Sequence, residues 1–178
     1  MVEVLDRTEA TPASYPAPPS GLSDAAMTLN SDMIWQRIEG YIAYRWTERE
    51  VKWVVEGPGN WEPSLGPATI TAVEVWQDFA WSSTSHNASP LGGYELTGPG
   101  PYRFTANVGG ADVPEDVNQA FRRLAEYMAD SSGEYAGSTT ENYSVGPVAM
   151  QFQRPVNWLA RALQHSGAAD LLRKYRRV

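Results

Sequence analysis

The sequence has no cysteine, two lysines, two histidines and no long run of apolar residues. Without cysteine the chain has no disulfide framework and no thiolate chemistry. Its apolar stretches are shorter than the roughly 18 residues that a membrane-spanning helix needs, so we expect no membrane partner. No basic segment precedes an apolar block near residue 1, and we therefore expect no secretory signal and a soluble protein made in the cytoplasm.

Patterns typical of catalysis and metal binding are also missing. His86 lies in a polar stretch and His165 near the end of a predicted helix, and neither has a second ligand at metal-binding spacing. There is no nucleophile elbow, phosphate loop or dinucleotide fingerprint. Two acidic groups are candidates for paired carboxylates: Glu48 with Glu50, and Asp112 with Glu115 and Asp116. Solvated faces and helix N-terminal charges explain them better, so we expect no catalytic residue, metal or cofactor, and no enzyme.

The residues that are present predict an α+β fold. Apolar residues make up 42% of the chain and aromatic residues 11%, which favours one folded domain with appendages. Helical spacing of apolar residues predicts helices at about 32–46, 114–130 and 155–165. Strand patterns lie between the first two helices, at 50–56, 69–76, 94–96 and 102–108. The expected architecture is a small helical core with an inserted antiparallel β region and extended N- and C-terminal arms.

Residues 114–130 give the clearest helix. Asp112 and Glu115 form a D-x-x-E capping pattern, and apolar residues then recur at spacings of three and four. This stripe predicts a subunit core made of Val117, Phe121, Leu124 and Met128.

The remaining segments give a domain division with several alternatives. Residues 1–30 are proline-rich and should form an extended arm, held by a neighbouring subunit, by packing on its own domain or by a crystal contact. Residues 31–142 should form the helix and β core, with Ser31 as the helix N-cap, Phe79 and Trp81 prolonging a strand, and 82–93 as a long loop. Residues 143–178 should form a C-terminal arm and helix for partner docking, with 145–152 as a strand or an extended arm.

Seven tryptophans call for an explanation. Their positions are 35, 46, 53, 61, 76, 81 and 158. Several have core-like spacing, which favours the core or a protein interface, where a flat ring buries a large area at low entropic cost. An aromatic platform for sugars or single-stranded nucleic acid is the alternative.

Positive charge is concentrated at one end of an acidic chain. The net charge is −7, yet residues 151–178 hold six Lys or Arg and one acidic residue. The C-terminal tip, Leu171–Val178, reads L-L-R-K-Y-R-R-V. It is either a basic last helical turn, which suits a helix C-terminus, or a docking tail that combines apolar and cationic groups. The acidic body argues against nucleic acid as a bound ligand.

The order of motifs resembles the head-to-tail connector (adaptor) proteins of long-tailed bacteriophages and gene transfer agents. The motifs are the V-P-E-D-V-N-Q-A-F-R-R-L-A helix (113–125), the arm Y-S-V-G-P-V (143–148) and the terminal L-L-R-K-Y-R-R-V. The resemblance covers roughly residues 31–178. The longer 1–30 arm, the 82–93 loop and the many tryptophans depart from that family's pattern.

The resemblance implies a structural role in the virion neck. Adaptors form a ring of about twelve copies beneath the portal protein, hold the stopper or tail-completion proteins below, and let DNA pass through the lumen without specific binding. It further implies assembly in the host cytoplasm, and a portal-binding segment whose residues are Leu171, Leu172, Arg173, Lys174, Tyr175, Arg176, Arg177 and Val178. Leu171, Leu172 and Tyr175 would fill apolar pockets, and the cations would pair with portal acids. The alternatives are a stopper, a tail terminator or a carbohydrate-binding module.

Overall fold

The computed structural model describes residues 2–130, 140–145, 148–153 and 160–176. The fold is α+β, as the sequence predicts. The chain divides into two compact units: a β unit of residues 2–16 and 43–112, and a helical unit formed by 17–42 and the described residues of 113–176. Residues 43–112 of the β unit therefore lie in sequence between the two parts of the helical unit, and residues 2–16 precede both parts. Within the described ranges, no helix has the length and apolar character needed to cross a membrane.

The main sheet of the β unit has five strands: β1 (Glu3–Glu9), β2 (Arg49–Glu56), β4 (Ala68–Gln77), β5 (Ala80–Ser83) and β8 (Tyr102–Val108). They pair antiparallel in the order β1-β2-β8-β4-β5. A smaller sheet has the order β3-β7-β6, with β3 (Gly59–Trp61), β6 (Asn87–Ala88) and β7 (Tyr94–Leu96). Side chains alternate between buried and more exposed along β2 and β8, the pattern expected when one face of a sheet packs on a core.

Aromatic residues fill the core of the β unit. Trp53 and Phe104 face each other across β2 and β8, and both are fully buried. Trp61 stacks on Phe104 at 4.1 Å between ring centroids and meets Trp53 edge-on at 5.7 Å. The indole N–H of Trp53 donates to Ser64 Oγ at 3.1 Å, so this buried polar group is satisfied.

The helical unit is organised around its longest helix. Its elements are α1 (Asp24–Met27), α2 (Ser31–Tyr41), α3 (Glu115–Asp130), the hairpin β9 (Thr140–Val145) with β10 (Val148–Gln153), α4 (Ala162–His165), α5 (Ala168–Leu171) and a 3-10 turn (Arg173–Tyr175). The apolar stripe of α3 is buried, including the predicted core residues Val117, Phe121, Leu124 and Met128. Trp35 of α2 packs on Phe121 at 4.9 Å.

The N-terminal segment differs from the predicted arm. Residues 2–30 are not extended throughout, because Asp24–Met27 form the helix α1. The extended strand β1 is the edge strand of the chain's own sheet, with Glu3 opposite Glu56 and Glu9 opposite Val51. Ser23 caps the short helix α1. Of the three alternatives for what holds this segment, the pairing of β1 with β2 shows packing on its own domain.

Three further boundaries are corrected. The first long helix ends at Tyr41 instead of 46, since Ile42 is already extended, and its N-cap is Asn30 instead of Ser31. The strand that ends at Gln77 is not prolonged by Phe79 and Trp81. Instead, the chain reverses at Asp78 and Phe79, and Trp81 returns on β5 opposite Trp76.

The loop and C-terminal predictions also change. The 82–93 loop contains the strand β6, and the predicted domain boundary at 142 falls inside β9. Of the two alternatives for 145–152, the described residues form a hairpin strand and not an arm. The predicted 155–165 helix is seen as Ala162–His165, and residues 155–159 lie outside the described residues.

Candidate docking site at the C-terminal tip

The short helices α4 and α5 and the 3-10 turn place the C-terminal tip against the N-terminal half of α3. Ser166 and Gly167 end α4, and Gly167 has a positive φ of 73°, a conformation that glycine adopts without steric cost. The chain then enters α5, and Ala168 is fully buried. The Arg123 guanidinium donates to the Gly167 carbonyl at 3.4 Å, which ties this turn to α3.

Leu172 is the apolar contact of the tip. Its relative exposure is 0%, whereas Leu171 and Tyr175 are half-buried. A fully buried leucine stabilises a fold by roughly 2 kcal/mol through removal of apolar surface from water. In the folded chain, Leu172 therefore occupies the protein's own core and is not available to fill a pocket of another protein.

Asp116 on the first turn of α3 receives two side chains of the tip. Lys174 Nζ lies 2.7 Å from Asp116 Oδ2, and the Tyr175 hydroxyl donates to Oδ1 at 3.0 Å. Burial raises the pKa of Asp116, but the hydrogen bonds from Lys174 and Tyr175 outweigh it and hold this pKa below its usual value. The hydrogen bond between Lys174 and Asp116 also raises the pKa of Lys174. Asp116 therefore keeps its charge and fixes the position of the tip.

The remaining cations of the tip point outward. Arg173 is 82% exposed and reaches Asp170 at 3.6 Å, a loose surface pair. Arg176 is exposed, with its guanidinium 4.7 Å from the ring centroid of Tyr41 and a hydrogen bond of 3.3 Å to the Tyr41 hydroxyl. Lys174 keeps 64% of its side chain exposed despite its bond to Asp116. Arg177 and Val178 lie outside the described residues.

The structure assigns five of the eight predicted docking residues to two groups. Leu172 and Tyr175 attach the tip to its own helical unit, whereas Arg173, Lys174 and Arg176 are exposed cations that we call the basic face. Lys174 belongs to this face and also bonds Asp116. Sequence reasoning missed Asp116 as the receptor of the tip, because the hydroxyl of Tyr175 comes from 59 residues further along the chain. No local pattern signals so distant a pair.

The other candidate residues have structural environments. Glu50 pairs with Lys52 at 2.9 Å, and Glu115 pairs with Arg122 at 2.6 Å. His86 packs edge-on against Tyr102, and burial lowers the pKa of this imidazole. The described residues hold no cluster of three or more potential metal ligands.

The tryptophans divide between core and surface. Trp35, Trp46, Trp53 and Trp61 are buried, and Trp158 lies outside the described residues. Trp76 is 41% exposed and forms a T-shaped pair with Trp81 at 5.3 Å. Four of the six described tryptophans are therefore core residues, whereas the Trp76–Trp81 pair is partly exposed.

The sequence matches no protein-family model, and no curated protein matches it.

Proposed function

We propose that this protein is a head-to-tail connector of a long-tailed bacteriophage or gene transfer agent. In this role it forms a ring of about twelve copies beneath the portal, joins the portal to the stopper or tail-completion protein, and surrounds the passing DNA. The role is structural and includes no catalysis. Its place is the virion neck, after assembly in the host cytoplasm.

The observation that carries this proposal is the basic face on an acidic chain. Arg173, Lys174 and Arg176 are exposed together at the folded tip, while the chain as a whole carries a net charge of −7. Basic side chains gathered at one end of an acidic chain direct association with a partner of complementary charge. Arg173 and Lys174 remain mostly exposed although each is paired with an aspartate. The acidic partner surface in this proposal belongs to the portal protein.

The folded tip changes how docking would occur. Because Leu172 is buried and Tyr175 is bonded to Asp116, the tip meets its partner as a preformed cationic surface and not as an extended apolar anchor. A preformed surface loses less conformational entropy on binding than a disordered tail does. Repetition of the patch around a ring would strengthen a weak contact through multivalency.

The test is binding to the portal ring encoded in the same genome, with Arg173→Glu as the variant. This side chain is exposed, so the reversal leaves the core intact. We expect binding to weaken about tenfold at low salt, since rim charges mainly set electrostatic association. Arg7→Glu is the matched control, because Arg7 is an exposed arginine on the edge strand β1, away from the tip in sequence.

The proposal is overturned by either of two results. One is that the wild-type protein does not bind the portal ring under any salt condition. The other is that Arg173→Glu and Arg7→Glu bind the portal ring with equal affinity, which would remove the basic face as the docking surface.

A further inference from the structure

The helical unit contains an apolar groove lined by residues of α1, α2, α3 and the segment before α1. Its volume is about 250 Å³. A cavity of about 150 Å³ with apolar walls already holds a benzene ring, so the groove has room for one large apolar side chain. All of its lining residues except Ser31 are apolar, and none of them is charged.

The groove combines buried and exposed lining residues. Ile34 and Phe121 are buried, and Phe121 packs on Trp35 of the core. Pro18 is exposed, and Met27 keeps 61% of its surface in water. Methionine is flexible and adapts to the shape of an apolar partner. A side chain of another molecule can therefore reach the groove from the side of Met27.

Hydrogen bonds between α3 and the start of α1 fix one wall of the groove. The Glu126 carboxylate accepts from the backbone N–H and from the hydroxyl of Ser23, both at 2.7 Å. Ser23 Oγ in turn accepts from the N–H of the groove residue Ala26 at 3.2 Å. The hydrogen bonds from Ser23 lower the pKa of Glu126, so this carboxylate is charged at neutral pH. A wall held in this way loses little conformational entropy when a ligand binds.

Two carboxylates lie beside the groove, and we call them the acidic rim. Asp24 lies in sequence between the groove residues Leu22 and Ala26, and it is exposed. Glu126 adjoins the same segment through its bonds to Ser23. The groove therefore has an apolar interior next to negative charge.

Arg122 does not neutralise the acidic rim. Its guanidinium donates to the Ser20 carbonyl at 2.8 Å, but it is also paired with Glu115 at 2.6 Å. The charges of Arg122 and Glu115 therefore offset each other, and the rim favours a partner that carries positive charge.

We propose that this groove binds a segment of another protein in which one large apolar side chain is flanked by lysine or arginine. The apolar side chain occupies the groove as an anchor, and the cations face Asp24 and Glu126. The C-terminal tip of this chain has such a composition, but Leu172 is buried in its own helical unit, so the segment comes from another protein. Because the groove does not involve the basic face, this contact is independent of the proposed function.

The test is a titration of the isotope-labelled protein with the basic peptide Lys-Arg-Leu-Phe-Arg-Lys, followed by amide chemical shifts. We expect shift changes at Leu22, Met27 and Phe121 at peptide concentrations of about 1 mM, because a single anchor binds weakly. The acidic peptide Glu-Asp-Leu-Phe-Asp-Glu keeps the anchor and should bind about tenfold more weakly. Binding of the basic peptide should also weaken between about 0.1 and 1 M salt, since the Debye length falls from about 10 to about 3 Å.

Two variants separate the apolar and the electrostatic parts of the contact. Met27→Arg places a cation at the groove and should weaken binding of the basic peptide about tenfold. Its control is Leu91→Arg, the same change at an exposed apolar residue of the β unit. Asp24→Lys leaves the lining residues unchanged and should reduce the preference for the basic over the acidic peptide. Its control is Glu56→Lys, at an exposed glutamate of β2.

Four results would overturn the proposal. The basic peptide changes no amide shift at the groove, the acidic peptide binds equally well, or Met27→Arg and Leu91→Arg bind the basic peptide alike. The fourth is self-association of the wild type that Met27→Arg abolishes, which would assign the groove to a second copy. If circular dichroism shows that Met27→Arg does not fold, the shift map of the wild type and its affinities for the two peptides decide the matter.

Discussion

At the scale of single residues, Leu172 decides whether the tip is part of the fold. Its side chain is fully buried, so Leu172→Ala removes apolar burial and leaves a cavity. We expect the free energy of unfolding to fall by about 2–5 kcal/mol, measured by urea denaturation. Leu171→Ala is the matched control and should cost less, because Leu171 is half-buried. Equal stability of Leu172→Ala and wild type would show that the tip does not pack on the helical unit in solution.

Glu9 is the residue that should give stability its clearest pH dependence. Its carboxylate lies 2.6 Å from Arg45 Nε and 3.1 Å from Arg49 Nη1, and both arginines are buried. Burial raises the pKa of Glu9, but the hydrogen bonds and charges of Arg45 and Arg49 outweigh it and lower the pKa below 4.5. A lowered pKa in the folded state gives stability that is present above the unfolded value and lost as the pH falls through the folded value.

Glu9→Gln should therefore destabilise the protein at neutral pH by about 1–3 kcal/mol, the usual range for hydrogen bonds to charged groups. The difference from wild type should shrink as the pH falls below 4.5 and through the lowered pKa of the folded state, where the wild-type carboxylate becomes protonated. Chemical denaturation across a series of pH values from neutral to acid measures it. Glu3→Gln is the control, since Glu3 is an exposed glutamate of the same strand. A pH-independent difference would contradict the ion-pair origin.

At the scale of elements, the start of α2 distinguishes the observed cap from the predicted one. The Asn30 side chain accepts hydrogen bonds from the backbone N–H groups of Asp32 and Met33, at 3.0 and 3.2 Å. Asn30→Ala should lower the free energy of unfolding by about 1 kcal/mol. Ser31→Ala, at the position that the sequence pattern indicates, should have a smaller effect in the same thermal melt. If Ser31→Ala destabilised the protein more than Asn30→Ala, the N-cap would be Ser31, as the sequence pattern predicts.

Elements with a strong internal period could be predicted from the sequence, and those defined by distant partners could not. The stripe of α3 and the alternation of Tyr102 and Phe104 in β8 reflect burial on one side, which the local sequence records. β1 has no such alternation of buried and exposed residues, because Val4 and Leu5 are both about half exposed. Its partner β2 begins only at Arg49, so no local sequence pattern indicates the pairing.

The features of the candidate site divide in the same way, into those that the local sequence predicts and those that depend on distant residues. The charge of the tip could be predicted from composition, since it depends on residue type alone. The burial of Leu172 and the bonds to Asp116 depend on how the chain returns to α3, which local patterns do not specify. The same applies to the turn at Phe79, where a sequence of strand-forming residues hides a reversal of the chain.

At the scale of the whole molecule, the acidic charge makes a prediction about DNA. Association with duplex DNA requires Lys and Arg that displace counterions from phosphates, and the net charge here is −7. We therefore expect the protein not to bind duplex DNA, even at about 50 mM salt, as measured by the fluorescence anisotropy of a labelled duplex. This is the behaviour required of a ring through which DNA slides. An acidic inner surface of such a ring would repel the phosphates and let the duplex slide, whereas a basic inner surface would bind them.

The matched variant replaces five exposed acids with lysine: Glu3, Asp6, Asp24, Glu56 and Glu95. These changes make the net charge positive without touching a buried side chain. The variant should bind DNA weakly and lose that binding steeply as salt rises, because counterion release drives such association. If wild type instead bound DNA with a steep salt dependence, a cationic surface of the protein would outweigh its net charge. The proposed passage of DNA without binding would then no longer follow from the acidic composition.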